Sequence, residues 1–283
     1  MKKQVLAAVL ILILAGFACS IQNIEMKTID NQIVFINEPL PADLAETELS
    51  FRMTGGKFTL RPGAEGLVSG SITYNVEQWE PEFSRSSYFY EVKQKDPFTI
   101  TGIPTGDVLN NWDLALATNL PLDLKIEGGA SENDFDLTGL QLTNLDITQG
   151  ASKTTLRFDV PNPILMNEFN FKTGASSVKL FGLTHANFTN MTFSCGAGDY
   201  TLDFTGILSK DITVDIKAGV SNIKIIIPAD MNAAVINQGL VNNITTKGTW
   251  LVTDETYSTM VAGPLLTINL DMAVGNVSLT HEE

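Results

Sequence analysis

A short phrase returns five times along the middle of this chain: Gly129-Ala130-Ser131, Gly150-Ala151-Ser152, Gly174-Ala175-Ser176, Gly196-Ala197-Gly198 and Gly219-Val220-Ser221. The first glycines are 21, 24, 22 and 23 residues apart, a period that marks stacked structural units. Alternating apolar residues flank each phrase. Leu122, Leu124 and Ile126 precede the first, with Phe135 and Leu137 after it; Ile212, Val214 and Ile216 precede the last, with Ile223, Ile225 and Ile227 after it. A period of two is that of a half-exposed strand, with one row of side chains inward and Thr, Lys, Asp or Asn outward. A unit of this size cannot bury its apolar face alone, whereas stacked units with parallel strands join their inward rows into one column. The clean alternation also separates this pattern from a globular parallel sheet, which is covered on both faces. The sequence therefore predicts an all-β chain whose main part is a right-handed parallel β-solenoid with rungs of about 22 residues. Gly129, Gly150, Gly174, Gly196 and Gly219 are expected to be structural corner residues, either with φ > 0 or in close backbone approach, and the neighbouring alanines to suit a crowded corner.

The N-terminus has the form of an export signal: Lys2 and Lys3, an apolar run from Val5 to Leu14, and small residues before Cys19. The run is shorter than the ~20 residues that span a bilayer, and no basic stop-transfer cluster follows it. Ala15-Gly16-Phe17-Ala18-Cys19-Ser20 resembles a bacterial lipobox, in which the cysteine is acylated and becomes the mature N-terminus; Gly16 stands where that pattern prefers Leu. Residues 1–18 are thus expected to be a signal peptide cleaved before Cys19, the lipidation site. The protein would then be exported and held by an N-terminal lipid on the outer face of a bacterial membrane, the alternative being ordinary cleavage and release. Residues 19–46 read as a tether, with room for a short strand between Ile24 and Ile36. Residues 47–105 read as a separate module of antiparallel hairpins: Leu49, Phe51 and Met53 alternate before Gly55-Gly56, and Phe58 and Leu60 before Pro62-Gly63. The solenoid is expected over residues 106–283, with an irregular insertion after Gly239 and an atypical last coil, because a solenoid end exposes strand edges.

Several stretches resemble the toast-rack family of bacterial envelope proteins, related to the C-terminal domain of LiaF-type cell-wall-active antibiotic response proteins. Gly56-Lys-Phe-Thr-Leu60-Arg-Pro-Gly63-Ala, Ile72-Thr-Tyr74-Asn75 and Trp79-Glu-Pro81 carry the likeness to its N-terminal module; Asn111-Trp112-Asp113-Leu114, Leu124-Lys-Ile126-Glu-Gly-Gly129-Ala130 and Leu137-Thr-Gly139-Leu140 carry it to the solenoid. Families of surface adhesins are similar. The resemblance implies a parallel β-solenoid, an envelope location, a sensing or assembly role in some relatives and no known chemistry.

The residues themselves point away from catalysis. Thirty-two acidic side chains against eighteen basic give a net charge of −14, which disfavours nucleic acid and anionic lipid surfaces as partners. Phosphate-cradling glycine loops, zinc spacings and basic nucleic-acid stripes are absent from the sequence, so neither a cofactor nor a metal is expected. His281 is among the last three residues and is expected to be mobile; His185 is expected at a solvated outward corner. The enzymatic alternative is a glycosidase or lyase using Asp134 with Asp136, or Asp199 with Asp203, which alternation places on one strand face. No basic ladder is expected beside those acids to hold an acidic sugar. Cys195, alternating with Met191 and Phe193, reads as a buried structural thiol. Trp79, Tyr88 and Tyr90 read as core of the N-terminal module, and the Asn187-Phe-Thr and Asn190-Met-Thr sequons as chance. These readings favour a non-catalytic, adhesin-like or stress-sensing envelope lipoprotein that presents its solenoid surface to a protein or polysaccharide partner.

Overall fold

The computed structural model describes residues 28–95 and 107–281; the expected signal peptide and Cys19 lie outside them. The strands in chain order are β1 (Thr28–Glu38), β2 (Thr47–Pro62), β3 (Val68–Val76), β4 (Pro81–Ser86), β5 (Phe89–Gln94), β6 (Asn110–Leu116), β7 (Pro121–Asp136), β8 (Gln141–Arg157), β9 (Glu168–Phe181), β10 (Asn190–Asp203), β11 (Ile212–Ile227), β12 (Asn232–Asn237), β13 (Val241–Gly248), β14 (Leu251–Thr253), β15 (Thr256–Ser258) and β16 (Leu265–His281). They form one sheet of sixteen strands. Its central run, β2-β7-β8-β9-β10-β11-β16, is parallel throughout. The predicted all-β parallel solenoid is what the chain forms.

Each rung is a single long strand bent at the glycine phrase. Before the bend Leu145, Ile147 and Gln149 of β8 point inward; after it Ser152, Thr154 and Leu156 do. Gln149 and Ser152 are three residues apart, so the two corner residues, Gly150 and Ala151, shift the strand's period by one. Such a slip would turn the second half of a straight strand inside out. Across a bend it lets both limbs face one core. Phe171 stacks on Phe193 at 5.5 Å, and Phe58 meets Phe51, Trp112 and Phe135 edge-on at 5.7, 5.5 and 5.3 Å. Loops carrying Leu140, Met166, Leu183, Phe188 and Phe204, all buried, close the third side.

The corner glycines serve close approach. None of the five has a positive φ, but a Cβ on Gly129 would lie 2.0 Å from the Thr54 carbonyl oxygen, and one on Gly174 2.7 Å from that of Gly150. The alanines beside them are exposed on the outside of the bend, where the expectation of crowding fails. The third residue of the phrase is the one turned inward. Ser131, Ser152, Ser176 and Ser221 are buried there and join a polar seam beneath the corner: Asn133 Nδ2 donates to the Ser131 and Thr154 hydroxyls, each at 2.9 Å, and Thr154 passes a bond on to Gln149 Oε1 at 2.7 Å. Cys195 belongs to this seam, 4.0 Å from Ser221 Oγ.

Three organisational expectations need correction. Residues 28–38 are not tether: they form β1, overlapping the short strand allowed between Ile24 and Ile36, and β1 pairs antiparallel with β3. Residues 47–62 are not a hairpin: β2 is one strand paired residue for residue with β7, and Thr54-Gly55 is its corner. Gly55-Gly56 looks like a tight turn in sequence, yet Met53 and Gly56 hold the same three-residue spacing as Gln149 and Ser152, and the solenoid therefore begins at Thr47. Antiparallel pairing does occur outside β2, between β1, β3 and β6 and between β4 and β5. Finally, the C-terminal strand is not the last rung. β16 lies between β11 and a split outer rung, in which β12 covers its first limb and β13 its second. The N-terminal end is split in the same way, β5 lying on one limb of β2 and β6 on the other.

Two expectations about stability follow. Alanine at Gly129 should cost most, alanine at Gly174 or Gly219 (2.7 Å each) less, and alanine at Gly150 (3.0 Å) least, over a span of about 1–3 kcal/mol. Urea midpoints of the four variants test the order; equal losses would mean that the corner backbone relaxes freely. The second concerns alkali. Burial pushes the Cys195 thiol from 9.0 up to about 11, and burial also raises the Tyr200 phenol. Between those two values the unfolded chain has released the thiol proton and the folded chain has not, so stability falls as pH rises through that window. Cys195→Ala should flatten the decline in melting temperature between about pH 9 and about pH 11, leaving the Tyr200 contribution. A profile parallel to wild type would refute the assignment.

Candidate interaction face

The acid pairs of the enzymatic alternative are engaged by neighbouring side chains and loops. Asp134 and Asp136 do face the same way, but Arg157 on the next rung contacts both, at 3.3 and 3.0 Å. Burial pushes the Asp136 carboxyl up, yet hydrogen bonds from Thr138 and the Arg157 guanidinium outweigh it and hold the group below the usual range. A basic partner thus accompanies these acids, contrary to the sequence reading. Asp199 and Asp203 are four residues apart on β10, roughly 13 Å along the strand, beyond the carboxylate separations used in glycoside hydrolysis. Asp199 accepts from Asn222 at 2.9 Å and Asp203 from the Thr205 amide at 2.8 Å. Among the described residues no three His, Cys, Asp or Glu side chains converge as a metal site.

Both histidines act as struts. His185 is half-buried in a 3-10 turn, its Nδ1 3.0 Å from the Phe158 carbonyl oxygen, and is not a solvated corner residue. His281 is buried at the end of β16, with Nδ1 and Nε2 each 3.0 Å from a carbonyl oxygen, of Thr249 and Ala229, and its ring against Trp250. It fastens the outer rung where mobility was expected. Asn187 is engaged too: its amide donates to the Asn162 and Ile164 carbonyls, and Lys210 Nζ donates to its side-chain oxygen at 2.7 Å. The aromatic trio divides: Tyr90 is core, Trp79 is half-buried, and Tyr88 is 47 % exposed with its hydroxyl donating to Asp43.

The distribution of outward charge singles out another region. On the first rungs the basic groups are matched across strands: Lys125 with Glu48, Arg52 with Glu127, Lys153 with Glu132, Arg157 with Asp134 and Asp136. On β9 and β11 they are not. Lys172 and Lys217 flank Ser194 in register on the first limb, Lys179 and Lys224 flank Thr201 on the second, and none of the four has an ion-pair partner among the described residues. Alternate strands of a sheet lie about 10 Å apart, so each pair brackets the width of one rung. The first pair borders an open groove of about 640 Å³ floored by Ala218 and Ala273, with Asp271 also at its wall. The second borders a smaller one of about 240 Å³, beside a ladder in which Asn276 donates to Asn222 and Asn222 to Asp199. Sequence reading missed these lysines although the signal was present: each pair is separated by 45 residues, the distance from Gly174 to Gly219.

Among solved structures the chain is similar to a candidate cell adhesion protein from Clostridium sporogenes ATCC 15579, at 16% identity and a TM-score of 0.45, covering 90% of this chain and 100% of that one. It is also similar to candidate adhesins from Bacteroides fragilis NCTC 9343 (10% identity, TM-score 0.35, 91% and 99% covered) and Parabacteroides merdae ATCC 43184 (10%, 0.31, 92% and 98%). No curated protein matches. Residues 21–163, just over half of the chain, match the N-terminal domain of toast_rack, DUF2154, and the chain therefore belongs to the toast-rack family.

Proposed function

We propose that this chain is a non-catalytic, lipid-anchored envelope protein whose solenoid faces are its interaction surface. The observation that carries the reading is the charge pattern: on the first rungs the basic groups are matched by acids across strands, while four lysines on two adjacent faces stand open beside shallow grooves. Open grooves on a regular sheet suit recognition of an extended partner. They lack the converging acid, base and water-excluding wall that catalysis requires. Export is supported by the three-part N-terminus and the lipobox resemblance around Cys19. Only eight residues lie between Cys19 and Thr28, the start of β1, so the anchor would hold the N-terminal cap within about 30 Å of the membrane. The lysine-bearing rungs lie toward the other end of the stack.

The test is metabolic labelling with an alkyne fatty acid, followed by membrane fractionation and surface crosslinking of wild type and Cys19→Ser. The wild type should carry label, sediment with membranes and capture a partner set; Cys19→Ser should lose the label, appear in the medium and lose those partners. A released variant that keeps every partner would make anchoring incidental, and an unlabelled wild type would remove the lipoprotein assignment.

A further inference from the structure

The larger groove combines features that point to one kind of ligand. Lys172 and Lys217 stand on its rim with no ion-pair partner among the described residues, and the Ser194 hydroxyl lies between them. Asp271 is next to Lys217 in register but makes no ion pair with it. The floor at Ala218 and Ala273 is small and apolar. Gln149 lines one end. Its side-chain nitrogen has no hydrogen-bond partner although the residue is only 4 % exposed.

The orientation of that amide follows from the seam below it. Asn133 Nδ2 donates to Thr154 Oγ1, which leaves the Thr154 hydroxyl hydrogen for Gln149 Oε1 at 2.7 Å; the Ser152 hydroxyl also donates to Oε1, at 2.8 Å. The carbonyl end is therefore fully used and the N–H₂ end is left over. An unsatisfied buried donor costs about 1–3 kcal/mol, a cost that a ligand acceptor would remove. Two ammonium groups, a hydroxyl and an orphan amide donor call for an anionic oxygen. Ala218 on β11 and Ala273 on β16, to the side of Ser194 away from Gln149, offer a small apolar surface that suits the C–H face of a pyranose ring.

We propose that this groove is a binding site for a carboxylate-bearing saccharide, a uronate unit of an acidic polysaccharide, with the carboxylate held between Lys172 and Lys217 and the ring over Ala218 and Ala273. The site deepens the interaction-surface reading above and rests on it. The chain is acidic overall, so an acidic polymer gains nothing from net charge and binding depends on this local pair, with the salt sensitivity of exposed charges. The Gln149 nitrogen is covered, so its engagement needs a side chain of the groove wall to swing aside, and its contribution is measured separately.

The experiment uses the full mature chain and fluorescent trigalacturonate, with the methyl-esterified trisaccharide and poly(glycerol phosphate) as competitors. Wild type should bind the acid, lose affinity as salt is raised from about 50 to about 300 mM, and bind the ester at least roughly tenfold more weakly. The Lys172→Gln/Lys217→Gln double variant should lose about tenfold or more, and Lys179→Gln/Lys224→Gln, on the other limb, less than about twofold. Both are exposed substitutions, with melting temperatures checked against wild type; Gln149→Met should weaken binding severalfold without altering the salt dependence. Equal binding of acid and ester, an equal loss from the other lysine pair, or equally tight binding of poly(glycerol phosphate) would each overturn the proposal. If the wild type fails to bind trigalacturonate but its crosslinked partners at the cell surface persist, the saccharide site falls and the interaction-surface reading stands.

Discussion

The structure depends on one backbone contact repeated up the stack: the carbonyl oxygen at each corner occupies the place a side chain would take on the rung above. From Gly129 to Gly219 the distance from that oxygen to an ideal Cβ is 3.0 Å or less at every step. The sheet can therefore pass the bend without losing register, and the paired residues on both sides of each phrase stay aligned from β2 to β16. Alignment in turn makes the columns. Identical positions stack at about 4.8 Å, so apolar rows become a core, serines become a hydrogen-bonded seam and outward charges become ladders. The seam is the less obvious product, because a two-residue corner turns the third residue of the phrase inward at a height where the two limbs converge and large side chains do not fit. Small hydroxyls fill it, or glycine itself at Gly198 and Gly275, where a Cβ would meet the preceding carbonyl oxygen at 1.8 Å.

Much of this was legible because it is local and periodic. The phrase spacing, the alternation on each side of it and the inward identity of Phe171, Phe193 and Ile223 depend on neighbours in sequence, and the structure returns them. What was missed depends on partners far away. Nothing near Gly55-Gly56 distinguishes a hairpin turn from a solenoid corner except the three-residue inward spacing, because the choice is made by β7, which pairs with β2 across about 75 positions. The order of the last rungs is hidden for the same reason: β16 inserts beside β11 after the chain has already built β12 and β13. His281 looked like a frayed end since its carbonyl partners, Thr249 and Ala229, are remote. The unpaired lysines were readable in principle, being a fixed offset from the glycine phrases, but only once outward residues are compared rung by rung.

The split end rungs answer a problem that every parallel stack shares. A continuous terminal rung would offer a long, regular edge to another chain. Here each end is divided into two shorter strands on separate limbs, β5 and β6 at one end, β12 and β13 at the other. On β5, β6 and β12 antiparallel strands follow, which change the hydrogen-bonding pattern the stack presents. The edges that remain differ: β14 has three residues and β4 carries Glu82 and Arg85, whereas β1, paired with β3, runs for eleven residues and exposes Ile33 and Phe35.

Against this background the placement of open charge is informative. In a solenoid every outward residue has a neighbour directly above and below, so an isolated charge is easily matched, as Lys153 is by Glu132 and Arg157 by Asp134. Surface pairs of this kind contribute little to stability, typically under about 1 kcal/mol. Their effect is on what the face offers to a partner, since a matched ladder presents no net charge to recognise. The rungs β9 to β11 break the matching on both limbs with the same two-rung offset, placing Ser194 or Thr201 where a carboxylate would complete each ladder. A partner's anionic group occupying the space above those hydroxyls would complete the ladder in trans. The repeat thus builds the scaffold, and recognition belongs where its charge pattern is left unfinished.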